Sequence, residues 1–110
     1  MSDDVLSRLA ATIKSRRQAT AEKSYTKQLL EAGPARCSKK FGEEACEAII
    51  AALSEDDDAM RGEAADVLYH LLVLLEARNI DIADVLSVLE GRMGTSGIEE
   101  KASRSAKQQP

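Results

Sequence analysis

The chain reads as an all-α helical bundle, and three observations point there. Its apolar share of 44% is carried by Ala, Leu, Ile and Val, with one Phe, two Tyr and no Trp, a mixture that favours helices over sheet. Only two Pro and six Gly interrupt it. Apolar residues fall on helical stripes, as Val5, Leu9 and Ile13 do. At 110 residues this is a single small domain with limited apolar surface to bury alone, so dimerisation is expected to complete the bundle.

Five helices follow in order. The first runs from about Asp4 to Thr20, with Lys14, Arg16 and Arg17 near its C-terminal end, where cations suit the helix dipole. A short second helix starts with Ser24 or Thr26 as its cap and stops at Gly33-Pro34. The third runs from about Ala35 to Leu53 and leads into Ser54-Glu55-Asp56-Asp57-Asp58, which reads as a solvated turn. The fourth, from about Ala59 to Arg78, is apolar almost all round between Val67 and Leu75 and must be covered on several sides. The fifth, from about Ile82 to Arg92, is expected to be capped by Asp81. Residues 1–93 would form the helical domain. Residues 94–110, rich in Gly, Ser, Lys and Gln, would form a flexible tail that a substrate could order.

Charge and cysteine usage exclude several classes. Nineteen acidic and fifteen basic residues give a net charge of -4, which argues against broad attraction to nucleic acid or an anionic membrane. An anionic substrate would need local cations or a metal. Cys37 and Cys46 form no CxxC pair and lack the partners of a zinc site, so a reduced, cytoplasmic protein is expected, with Cys46 as a small buried packing residue. The N-terminus has no apolar stretch of the kind a secretory signal needs. The run from Val67 to Leu75 is broken by His70 and is too short to span a bilayer, so no membrane segment is expected.

The chemistry concentrates in two acidic pairs. Glu44 and Glu47 project from one face of the third helix, and sixteen residues after Glu47 the pair Glu63 and Asp66 does the same on the fourth. A single Glu-x-x-Glu is usually a solvated face. Two such pairs on adjacent helices would converge four carboxylates, a costly arrangement that a hard cation relieves, and Mg2+ suits oxygen ligands and phosphates. Asp66 stands at the edge of the apolar run, where a carboxylate needs a partner or a metal. Glu43, one turn from Glu47, could position or deprotonate a water. His70, one turn beyond Asp66, is either a hydrogen-bonded core histidine or a partner that orients the carboxylates. Tyr69 reads as core, with a partner for its hydroxyl. Lys39 and Lys40 could meet phosphate oxygens or be merely solvated, and Lys101 and Arg104 could form a phosphate clamp or a charged end.

Ser24-Tyr25-Thr26 with Leu29-Leu30, Lys39-Lys40-Phe41-Gly42-Glu43-Glu44-Ala45-Cys46-Glu47, Glu63-Ala64-Ala65-Asp66-Val67-Leu68-Tyr69-His70-Leu71 and Gly97-Ile98-Glu99-Glu100-Lys101-Ala102-Ser103-Arg104 together resemble the phosphoribosyl-ATP pyrophosphatases of histidine biosynthesis. The acidic pairs alone resemble the wider MazG-like, all-α nucleotide pyrophosphatases. The resemblance runs from about Val5 to Arg104 and implies a Mg2+-dependent homodimer that hydrolyses phosphoribosyl-ATP to phosphoribosyl-AMP and pyrophosphate. It implies catalytic roles for Glu43, Glu44 and Glu47, metal ligation by Glu44, Glu47, Glu63 and Asp66, and substrate binding by Lys39, Lys40, Lys101 and Arg104. Two other readings remain open at this point: a house-cleaning nucleoside triphosphate pyrophosphatase, and a non-catalytic helical dimerisation module.

Overall fold

In the computed structural model, which describes residues 4–93, the expected helices form and no strand occurs among the described residues. Helix α1 (Val5–Ser15) begins where the Asp4 carboxylate accepts the Ser7 amide at 2.9 Å, and that bond holds Asp4 below the usual carboxylate range. The helix is shorter than expected. At Arg16–Gln18 it tightens into a single 3-10 turn, a common helix ending, and the chain leaves the helical path by Ala19.

Helix α2 (Tyr25–Ala32) is capped by Ser24, whose hydroxyl accepts the Lys27 amide at 3.1 Å. Gly33, at φ 92°, ends α2 and starts α3 (Pro34–Ser54) in the same residue, and Pro34 occupies the first position of the new helix, where a missing N–H costs nothing.

The expected acidic turn at Ser54–Asp58 is mostly helix instead. Ser54 closes α3, Asp56 caps α4 (Asp57–Ala77) by accepting the Ala59 amide at 2.9 Å, and Asp57 and Asp58 lie in the first turn, where negative charge suits the dipole. Only Glu55 and Asp56 separate the two helices, so α3 and α4 fold back on each other as an antiparallel hairpin. Helix α5 (Ile82–Arg92) starts after Asp81, as expected, but the Asp81 carboxylate makes no capping bond and stands 4.0 Å from Lys14.

The core gathers Ile13, Leu29, Leu30, Cys37, Leu72 and Val73, where α1, α2 and α3 meet the second half of α4. Burying a side chain such as Val73 contributes about 1.5–3 kcal/mol. The buried cysteine is Cys37, whose thiol lies 3.2 Å from the Leu29 carbonyl and is pushed up in pKa by burial. Cys46, expected inside, is exposed, because the Glu44 strip takes the inward face of that turn and leaves Cys46 on the opposite side. The apolar run of α4 is covered by α1, α2 and α3, yet Leu68 stays 45% exposed. Beyond the core, the Arg17 guanidinium bonds the Glu76 carboxylate at 2.5 Å and the Glu76 carbonyl at 2.6 Å, tying the 3-10 turn after α1 to the end of α4. No helix among the described residues is long and apolar enough to cross a membrane.

Candidate functional site

The hairpin corner sets which carboxylates meet. At 1.5 Å per residue, Glu44 and Glu47 lie about 16 and 12 Å before Glu55, while Glu63 and Asp66 lie about 10 and 15 Å after Asp56. Antiparallel helices therefore set Glu44 across from Asp66 and Glu47 across from Glu63. One carboxylate oxygen from each of Glu44, Glu63 and Asp66 does come within 4.8 Å of the others. Glu44 is buried, Glu63 half-buried and Asp66 exposed, so the group opens to solvent on one side. Glu47 is exposed and stands outside that trio, though its charge reaches Glu63.

Glu63 is the anomalous member. Its Oε1 is sealed from solvent and has no hydrogen-bond partner among the described residues. Burial, and then the charges of Glu47, Asp66, Glu44 and Glu55, push its carboxyl above the ordinary glutamate range. A buried acceptor left without a partner is costly, and like charges around it add to the cost. Three hard oxygen donors within the reach of one small cation fit a divalent hard metal, and Glu63 brings to that group a carboxylate that no other described residue satisfies.

Lys40 closes the N-terminal side. Its ammonium lies 3.5 Å from Glu43 and 3.6 Å from Glu44, and the charges of Tyr25, Glu43 and Glu44 hold it above its ordinary pKa against the opposing effect of burial. Glu43 is exposed and points its carboxylate at Lys40. Lys39 is exposed on a neighbouring face, whereas Lys101 and Arg104 lie outside the described residues.

His70 is buried behind the carboxylates. Its ring makes edge contacts with Tyr69 at 4.8 Å and Tyr25 at 6.2 Å between centroids, and burial lowers its pKa, so it is neutral at neutral pH. The Tyr69 hydroxyl finds the expected partner, the Thr26 hydroxyl, which binds α4 to the start of α2. Two neighbours of the site escaped the sequence reading. Tyr25 looks from sequence like the residue after a helix cap, and only its packing against His70 brings it to the cleft. Glu55 joins the charges around Glu63 only because the hairpin corner returns it there.

The arrangement can hold a hard cation, present cations to an anionic ligand along α3, and keep a neutral imidazole behind both. A hollow of about 250 Å3 between α1, α4 and α5, lined by Leu72, Leu75 and Ile82 together with Lys14, Glu76 and Asp81, starts about 9 Å along α4 from Asp66, so it is separate from this chemistry.

Residues 6–93 match the family model described as Phosphoribosyl-ATP pyrophosphohydrolase. The chain is 56% identical to the phosphoribosyl-ATP pyrophosphatase of Cereibacter sphaeroides over 100 residues, which are 91% of this chain and 97% of that protein. It is 57% identical to the Dinoroseobacter shibae protein of the same name, over 91% of this chain and 98% of the relative. With the Roseobacter denitrificans phosphoribosyl-ATP pyrophosphatase it shares 58% identity over 90% of this chain and 94% of the relative.

Proposed function

The chain belongs to the phosphoribosyl-ATP pyrophosphohydrolase family, and from that membership we propose that it hydrolyses phosphoribosyl-ATP to phosphoribosyl-AMP and pyrophosphate in histidine biosynthesis. The observation that carries the reading is the trio Glu44, Glu63 and Asp66, with its sealed and unpartnered Glu63 oxygen. These three, with Glu47 alongside, would hold Mg2+. A divalent cation bound there supplies neutralisation of polyphosphate charge and makes a nearby water more acidic.

The chain's own residues do the rest. The reaction adds one water across the anhydride between the α- and β-phosphates, forming a new P–O bond and releasing pyrophosphate. Glu43 accepts the proton of the attacking water or orients it, from its exposed seat one turn from Glu47. Lys39 and Lys40 lie on α3 beside the acids and neutralise phosphate charge, and Lys101 and Arg104 are assigned the same task from the tail, residues 94–110, that follows the helical domain. His70, neutral and fixed between two tyrosine rings, keeps the wall behind Asp66 rigid.

The protein works as a cytoplasmic homodimer in this reading. Ile49, Ile50 and Leu53 on α3 are 60%, 54% and 83% exposed, an apolar stripe that a second copy would cover. Turnover of phosphoribosyl-ATP, measured beside ordinary nucleoside triphosphates with and without Mg2+, tests the assignment. Preference for phosphoribosyl-ATP supports it; equal use of the ordinary triphosphates would make this a house-cleaning enzyme, and no turnover with no Mg2+ binding would leave a dimerisation module. Glu47→Gln should abolish turnover with the fold kept, and full activity in that variant would remove Glu47 from the machinery.

A further inference from the structure

Three carboxylates meet in the cleft, yet among the described residues a single cation, Lys40, lies within 4 Å of any of them. Lys40 sits one turn before Glu44 on α3, with its ammonium 3.6 Å from Glu44 and 3.5 Å from Glu43. The Glu44 side chain is 10% exposed, that of Lys40 28% and that of Glu43 49%, so the lysine bridges an inner acid that faces the cleft and an outer acid that faces solvent. Among the described residues, Glu63 and Asp66 have no such companion.

We propose that Lys40 is an internal counter-cation that neutralises Glu44 until a divalent cation takes that carboxylate, and that the freed lysine then engages a phosphate of the substrate. The inference rests on the metal reading of the acidic trio and goes beyond it by giving one lysine two successive partners. A lysine is suited to the exchange: its ammonium is a point charge with three donors on a flexible four-carbon stem, unlike the rigid fork of arginine. Glu43 gives it a second seat. When Lys40 lets go of Glu44 it stays anchored to Glu43 at the mouth of the cleft, with donors turned to an incoming anion. Metal and substrate would then assist one another, because each removes a competitor of the other, and such coupling is reciprocal by thermodynamic necessity.

Exchange makes opposite demands on one variant. Removing the lysine removes the metal's competitor and the phosphate's partner together. Mn2+ binding to the purified full chain, followed through the paramagnetic resonance signal of free Mn2+ without nucleotide, should become about tenfold tighter in Lys40→Met, while KM for phosphoribosyl-ATP rises about tenfold. Lys40→Arg keeps the charge and should stay within about twofold of wild type in Mn2+ affinity, as should Lys39→Met, whose lysine lies on a neighbouring face. Lys40→Gln, read in the same way, replaces Lys40→Met if the latter fails to fold. Unchanged or weaker Mn2+ binding in the Lys40 variants overturns the proposal. So does equal tightening in Lys39→Met, which marks a general field effect, and so does tighter Mn2+ binding with an unaltered KM. A wild-type chain that binds no Mn2+ overturns the metal reading and this inference together, whereas wild-type binding that ignores Lys40 overturns the inference alone.

Discussion

Helix α4 carries two partly buried glutamates about 20 Å apart along its axis, and the chain treats them in opposite ways. Glu76, with 12% of its side chain exposed, is held by Arg17 at 2.5 Å, and the same guanidinium also reaches the Glu76 carbonyl and Asn79. Glu63 has an oxygen that no other described residue reaches, and it is ringed by Glu44, Glu47, Glu55 and Asp66. Glu76, given an arginine from within its own chain, ties the 3-10 turn after α1 to α4. Glu63, surrounded by its own kind, suits a cation from outside in the proposed reading, and its cost is borne by the hydrophobic half of the same helix, where Leu72 and Val73 are buried.

Glu63→Gln breaks the contrast most directly. Turnover should fall by about 10^3-fold, because a ligand charge is lost, while Tm in chelator rises by a few degrees as like-charge crowding is relieved. Activity assays and calorimetry in the presence of EDTA read the two effects, and a variant that loses both activity and stability would show Glu63 to be a structural residue. The pH dependence has the matching sign. Because the folded state raises the Glu63 pKa, its contribution to metal-free stability is fully present below the ordinary glutamate value of 4.5 and is lost as pH rises through the raised one.

Arg17→Met probes the other glutamate. It should cost about 1–3 kcal/mol by stranding Glu76, seen as a lower urea midpoint, with turnover per folded molecule unchanged. Loss of turnover without loss of stability would mean that the two ends of α4 are not independent. Asp56→Ala asks whether the acids at the start of α4 only build the helix: about 1 kcal/mol of stability should go with the cap, and Mn2+ affinity should stay the same. The smallest effect belongs to His70. Its folded pKa is lowered, chiefly by burial, so its contribution is present above the ordinary value of 6.5 and is lost as pH falls through the lowered one. Tm measured from pH 7.5 to 5 should therefore decline more steeply for wild type than for His70→Gln.

Much of the fold could be read in advance because helix signals are local. Ser24 caps α2 and Gly33-Pro34 divides α2 from α3, since a capping hydroxyl and a left-handed glycine act over one turn. The acidic stretch at 54–58 reads as a turn and is mostly helix, because aspartates serve both turns and helix starts and only the tertiary corner decides between them. Residue type alone puts Cys46 inside, whereas the helical phase that turns Glu44 inward turns it out. Three-residue spacing predicts that Glu44, Glu47, Glu63 and Asp66 converge; three of them meet, and Glu47 stands outside because its turn faces solvent. The solitude of the Glu63 oxygen, the packing of Tyr25 on His70 and the approach of Glu55 were not legible, since each depends on how separate helices are brought together.

The two-residue corner at Glu55-Asp56 acts as a ruler for the hairpin. One residue inserted between Glu47 and Ser54 would slide Glu44 about 1.5 Å along its axis and swing it about 100° away from Asp66. Length changes confined to one arm should therefore abolish the pocket even where the added residue is a good helix former. Lengthening both arms together by seven residues, close to two full turns, should preserve the alignment. The tolerance of this stretch to insertions and deletions is thus set by symmetry about the corner, and that is a rule for grafting the pocket onto helical hairpins of other lengths.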